Sequence, residues 1–315
     1  MPFRLVVALG ALALLVGFLT VDLGAQTVTE AKLLSVTRWH GGDEPAFGGF
    51  SGIEVSEDGT SFTAITDRGD ITQGRFVRND GRIAKVAHGA LRKLTTPRGV
   101  NVRGIWSDSE GLAIAPDGTM FVSFEVGHRI VRYPTGQGRV RNLPKNPATK
   151  KMEPNAGQEA LAVQPDGAIL VIPEGNGSQK APHRVFRLRP GAKTWEQPFT
   201  LPRYRPYVPV GADVGPDGRL YVLERHLSSI FGFTSRVRRF DITGNSLTNE
   251  TILLQTEVGA HDNLEGLAVW RDADGLIRLT MVSDDNFKFF QVTEIVEYVV
   301  PDGAGIGTDH LINTQ

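Results

Sequence analysis

Five times along the chain, an apolar run enters a turn containing Asp-Gly and returns as a second apolar run. The first unit leads from Ser51-Gly52-Ile53-Glu54-Val55 through Asp58-Gly59 to Ile65-Thr66-Asp67-Arg68. The second joins Glu110-Gly111-Leu112-Ala113-Ile114 to Met120-Phe121-Val122-Ser123-Phe124-Glu125 through Asp117-Gly118. Glu159-Ala160-Leu161-Ala162-Val163, Asp166-Gly167 and Ile169-Leu170-Val171-Ile172-Pro173-Glu174 form the third. The fourth is Gly211-Ala212-Asp213-Val214, Asp217-Gly218 and Leu220-Tyr221-Val222-Leu223-Glu224. The fifth is Glu265-Gly266-Leu267-Ala268-Val269, Asp274-Gly275 and Leu279-Thr280-Met281-Val282-Ser283-Asp284. Each unit reads as a β-hairpin, because glycine accepts the positive φ that such a turn requires. The units recur roughly every 50 to 60 residues, near the length of a four-stranded propeller blade. More charged runs such as Arg129-Ile130-Val131-Arg132-Tyr133 follow as candidate outer strands, with one face in water. Closing such a repeat into a ring removes the sheet edges that would invite aggregation. The expected fold is therefore all-β, a single-domain β-propeller of six blades, the sixth assembled from the two ends of the chain.

Bulk properties narrow the function. Net charge is −1 over 315 residues, which gives no electrostatic reason to expect nucleic acid or an anionic membrane as partner. There is no cysteine, so thiol catalysis and disulfide staples are excluded. Arg4 precedes an apolar run over 5–21, and Leu23-Gly24-Ala25 then offers small residues before Gln26. That order is the pattern of a secretory signal. The run is short for a spanning helix, which needs about 20 residues. The chain is accordingly divided into a signal peptide over 1–25 and a propeller domain over 26–315. Export to the periplasm or the medium is expected, with an uncleaved membrane anchor as the alternative.

Hairpin geometry decides which polar residues meet. Glu110 before the turn lies near Glu125 after it, Glu159 near Glu174, and Glu265 near Asp284. Asp67 and Glu224 close two further units. In a ring these acids converge at one rim of the channel. Converging carboxylates repel unless a hard cation binds them, a neighbouring arginine neutralises them, or one carboxyl keeps its proton and serves as a base. Arg68 and Arg225 directly follow two of the acids. Ser51 does not sit in a nucleophile elbow, and neither a phosphate-binding glycine loop nor a zinc-spaced histidine pair is present.

Several phrases carry a family likeness: Gly49-Phe50-Ser51-Gly52, Thr66-Asp67-Arg68-Gly69, Gln158-Glu159-Ala160-Leu161, Leu223-Glu224-Arg225 and Ser283-Asp284-Asp285-Asn286-Phe287. Together they resemble the bacterial "esterase-like activity of phytase" family, in its order, from about residue 38 to residue 298. The resemblance implies an exported propeller-like domain associated with phosphoester or carboxylester hydrolysis. A broader likeness to calcium-dependent lactonase propellers is architectural, and by analogy suits Glu110, Glu159 and Glu265 to a divalent cation. The expectation is a metal-dependent ester hydrolase, monomeric, acting on a small anionic or ester substrate. Glu159, Glu174, Asp67, Arg68 and Arg225 are the candidate catalytic residues. Glu110, Glu265, Asp284 and Asp285 are the candidate ligands of calcium or another divalent cation. The alternative is a non-enzymatic propeller that binds an envelope or extracellular ligand at the same rim.

Overall fold

The computed structural model describes residues 31–151, 157–175, 181–228 and 232–301, so the expected signal segment lies outside the described residues. Strand β1 (Lys32–Arg38) comes first, and four-stranded antiparallel units follow it. The first holds β2 (Phe50–Val55), β3 (Ser61–Thr66), β4 (Asp70–Asn79) and β5 (Arg82–His88), with the short β6 (Arg92–Lys93) added against β4. The second holds β7 (Ser109–Ile114), β8 (Met120–Phe124), β9 (Arg129–Tyr133) and β10 (Arg141–Asn142). The third holds β11 (Ala160–Val163), β12 (Ile169–Ile172), β13 (His183–Leu188) and β14 (Glu196–Leu201). The fourth holds β15 (Val208–Val214), β16 (Leu220–Leu227), β17 (Phe233–Thr243) and β18 (Ser246–Gln255). In the fifth, β19 (Asn263–Arg271), β20 (Ile277–Asp284) and β21 (Glu294–Val300) accept β1 as their outermost strand.

The ring has five blades, which corrects the expected six. The two chain ends do combine, but into the outer half of the fifth blade. Lys32 pairs with Val299 and Arg38 with Glu294, so the N-terminal strand fills the position a fourth local strand would take. The first strands of the blades, β2, β7, β11, β15 and β19, pack successively on one another, and β19 returns to β2.

The two inner strands of the third blade are buried on both faces, which explains why Ile169-Leu170-Val171-Ile172 is apolar without alternation. The core accordingly divides into five clusters, one between each pair of neighbouring blades. Between the last blade and the first, Trp39 stacks on Phe50 at 4.2 Å and meets Phe62 edge-on at 5.2 Å. The Asp-Gly turns are built alike. Gly118 has φ +79° and Gly167 φ +80°, while Asp117 and Asp166 each accept the backbone N–H two residues on, at 2.8 and 3.0 Å. All five turns lie at one end of the channel and all five strand starts at the other.

Candidate functional site

At the end opposite the turns, the inner strands begin irregularly. Register shifts fall between Phe50 and Gly52, Ser109 and Leu112, Pro209 and Gly211, and Leu264 and Gly266. A bulge carries one residue out of the ladder and re-aims its side chain. Glu110 and Glu265 fall within these irregularities, and Glu159 stands immediately before β11 at the corresponding place. Glycine follows two of these acids because the inner strands approach too closely for a side chain. A Cβ on Gly111 would lie 2.2 Å from the Glu159 carbonyl oxygen, and one on Gly266 2.8 Å from the Ile53 nitrogen.

The densest group of acids belongs to the second blade. Asp108, Glu110 and Glu125 each bring a carboxylate oxygen within 4.8 Å of the other two. The Glu125 N–H donates to the Asp108 carbonyl oxygen at 2.9 Å, which holds the two ends of the hairpin together. Burial, then Glu265, Asp108 and Glu125, push the Glu110 carboxyl well above its ordinary range. Burial and Asp108 raise Glu125 to about 7. All three residues are half-buried. Three oxygen donors converging without a basic partner suit a hard divalent cation.

Glu159 and Glu174 face each other at the mouth of the third blade, as hairpin geometry requires. Burial first, then repulsion from Glu174 and Glu110, holds the Glu159 carboxyl well above its usual range. Arg225 works against that shift. Its Nη1 donates to Asn263 Oδ1 and Glu265 Oε1. Burial alone would depress this guanidinium, but Glu265, Glu159, Glu174 and Asp284 carry it above its ordinary value. Asn263 Nδ2 also donates to Glu265 Oε1 at 2.7 Å, so Glu265 sits in a polar clasp.

Around the rest of the rim, the expected residues separate. Asp284 lies opposite Asn263 in the ladder and accepts the Asn286 N–H at 2.6 Å. Burial and Glu265 raise it to about 8. Asp67 is raised to about 7 by burial, with Asp108, Glu265 and Asp285 adding to the shift against the pull of Arg68. Its Oδ1 is buried without a hydrogen-bond partner. Asp285 is engaged in holding loops: Oδ1 accepts the Gly49 and Phe287 N–H groups, both at 3.0 Å, and Oδ2 accepts the Thr293 hydroxyl at 3.0 Å. Arg68 is exposed and stacks on Phe287 at 3.2 Å, on the outside of the group. Glu224 is withdrawn altogether, clasped by Arg236 at 2.6 Å and by Arg238.

Asp108 was not among the sequence-derived candidates. The signal available was a second acid two residues before the inner-strand glutamate, where Asn263 precedes Glu265 in the fifth blade.

Residues 45–287 match the family described as Phytase-like, esterase-like activity of phytase. Solved structures similar to this chain include a glucose dehydrogenase, at 10% identity and TM-score 0.48, covering 84% of this chain and 99% of that one. The PQQ-bound aldose sugar dehydrogenase from Streptomyces coelicolor has 13% identity and TM-score 0.44, covering 86% and 99%. A catalytically inactive virginiamycin B lyase from Staphylococcus aureus with quinupristin has 15% identity and TM-score 0.43, covering 86% and 90%. No curated protein matches the chain.

Proposed function

The chain belongs to the Phytase-like family, esterase-like activity of phytase, and from that membership we propose an exported hydrolase of phosphoesters or carboxylesters, working at the acidic channel mouth. The observation that carries the reading is the meeting of Asp108, Glu110 and Glu125 within 4.8 Å, with no arginine or lysine among the causes that shift Glu110 or Glu125. These three residues would hold a divalent cation, calcium being the hard ion that oxygen donors favour. Such an ion, when bound, supplies Lewis-acid stabilisation of charge on an ester oxygen.

The chain's own residues supply the rest. Burial and the neighbouring Glu174 hold the Glu159 carboxyl well above its ordinary range, so Glu159 is the member of the pair that carries a proton. The ionised partner takes a proton from attacking water, and the protonated one delivers its proton to the departing oxygen. Ester and water thereby become acid and alcohol, with the proton count conserved. Arg225, held by Glu265 and Asn263, stands beside this pair as a fixed positive charge for a developing oxyanion. Asp67 borders the same mouth, and Arg68 offers a second cation from its outer edge. The apolar run over 5–21 supports the exported part of this reading.

Binding without turnover is the second reading. It is favoured by the exposed stack of Arg68 on Phe287, and by Phe289, which is 99% exposed beyond it.

Calorimetric titration of calcium, with a screen on 4-nitrophenyl phosphate and 4-nitrophenyl acetate, tests both. Wild type should bind calcium and turn over one of the esters in a calcium-dependent way. Glu110→Gln should weaken calcium by about tenfold or more. Glu159→Gln should bind calcium normally and lose turnover. Calcium binding without turnover selects the second reading, and turnover that persists in chelator and in Glu110→Gln overturns the metal-assisted one.

A further inference from the structure

The opposite end of the channel holds a cavity of ≈ 1350 Å³, bordered by residues of all five blades. Its upper wall follows the repeat. Four residues beyond Ser51, Glu110, Glu159, Val210 and Glu265 stand Val55, Ile114, Val163, Val214 and Val269, and all five line the cavity. They form an apolar belt with one β-branched side chain per blade.

One residue nearer the channel mouth, the repeat is broken. Three blades carry alanine there, as Ala113, Ala162 and Ala268, whereas the first and fourth carry Glu54 and Asp213. Both acids line the cavity. Glu54 Oε1 accepts the Ile114 N–H at 3.1 Å, and Asp213 Oδ2 accepts the Val269 N–H at 2.6 Å, so each acid reaches to the next blade. Three blades assemble with a methyl group at this place, so the fold does not itself demand a carboxylate. Two carboxylates on non-adjacent blades face across one level of the channel. Burial and the mutual repulsion push Glu54 well above its ordinary range, and Asp213, also buried, is raised to about 7. No basic side chain is among the groups that shift either one. The arginines that line the cavity, Arg75 and Arg271, are exposed and therefore screened by water.

Two acids buried within the sheets have resident cations: Glu224 has Arg236 and Arg238, and Glu297 has Arg78. At this level the compensating charge is left to come from outside. A bare metal ion would leave the apolar belt without a partner, whereas an organic cation meets the belt with its apolar part. We propose that the turn-side end of the channel is a second binding site, for a ligand that carries a protonated amine on an apolar body.

The test uses the whole chain, with n-hexylamine as probe and 1-hexanol as its neutral counterpart, by calorimetry in mildly alkaline buffer. Hexylamine should bind at least about tenfold more tightly than hexanol, the worth of one charged hydrogen bond. Glu54→Gln and Asp213→Asn, made singly and together, should erase that preference and leave ester turnover unchanged. Glu110→Gln, at the other mouth, should leave hexylamine affinity as in wild type. Equal binding of amine and alcohol overturns the proposal, as does amine binding that survives both single substitutions. Loss in Glu110→Gln alone would assign the amine to the acidic mouth and overturn it equally. Because the singles each remove only one carboxylate, they remain informative if the double variant folds poorly.

Discussion

Glu125, Glu174 and Glu224 occupy similar places at the ends of second hairpin strands, yet they do different work. What separates them is the neighbour. Glu125 meets Asp108 and Glu110, and Glu174 meets Glu159, while Glu224 lies between two arginines contributed by β17. Arg238 continues the chain of charges to Glu250 at 2.7 Å, and its own side chain is completely buried. Removing one partner from a buried pair leaves an uncompensated charge, which costs about 3–5 kcal/mol. Glu224→Ala should therefore lower stability by that amount, read from denaturant unfolding, and leave calcium affinity unchanged. A large change in calcium affinity at preserved stability would instead place Glu224 in the ion site. The sequence offered Glu224 and the arginine that follows it, but not the pairing, because Arg236 and Arg238 lie on the next strand and reach Glu224 only through the β16–β17 register.

At the scale of elements, the inner strand is both the packing surface and the bearer of the site, and the small residue beside each acid couples the two. Gly111 illustrates the link. A Cβ there would sit 2.2 Å from the Glu159 carbonyl oxygen and 2.9 Å from Ser123 Oγ, and the Gly111 N–H donates to that Oγ at 2.8 Å. Gly111→Ala must push β7 away from β11. Overpacking of this kind costs about 1–3 kcal/mol. The displaced bulge should also spread Asp108, Glu110 and Glu125, so calcium affinity should fall together with the thermal midpoint. A fall in stability alone would show that the bulge tolerates the shift. Hairpins, Asp-Gly turns and the facing of Glu110 with Glu125 were legible in the sequence, since all depend on contacts within one short segment. Asp108 was not, because its role depends on a register shift, and nothing in the alternation of Ser107-Asp108-Ser109-Glu110 announces where the ladder slips. The loop function of Asp285 was hidden for a related reason: its partners Gly49 and Thr293 come from another blade and from beyond the turn.

At the scale of the whole molecule, five interblade cores and one shared channel make each blade's stability depend on its two neighbours, and the channel collects what the blades point inward. The count of five was legible as five hairpin units; the error of a sixth came from giving β1 and β21 a blade of their own, when one ladder unites them with the fifth unit. The collected acids predict how the molecule responds to pH. Asp67 and Glu125 are raised to about 7 and Asp284 to about 8, from ordinary values of 3.8, 4.5 and 3.8, and Glu110 and Glu159 are also held well above their ordinary range. A raised carboxyl binds its proton more tightly in the folded chain, so the folded state holds more protons than the unfolded one and stability falls as pH rises through the window. Two groups oppose this at its lower end. His183, lowered to about 4 by burial and Arg203, and His128, lowered by burial and Lys145, favour folding as pH rises toward 6.5. The turn acids Asp58 and Asp117, lowered by hydrogen bonds from Ser56, Thr60 and Thr119, act only below their ordinary value of 3.8. Between pH 6.5 and about 8 the raised acids are therefore unopposed, and in chelator the thermal midpoint should decline across that interval. Saturating calcium favours the ionised carboxylates and should flatten the decline. It should not abolish it, because Glu54 and Asp213 contribute the same sign from the other end of the channel, out of reach of an ion at the mouth. Adding Glu54→Gln and Asp213→Asn should remove that share of the decline and leave the part due to Asp67, Asp284 and Glu159. A midpoint that rises with pH in chelator, or a calcium effect that grows toward acid, would mean that the mouth carries its charge without a cation and that its carboxylates are ionised throughout.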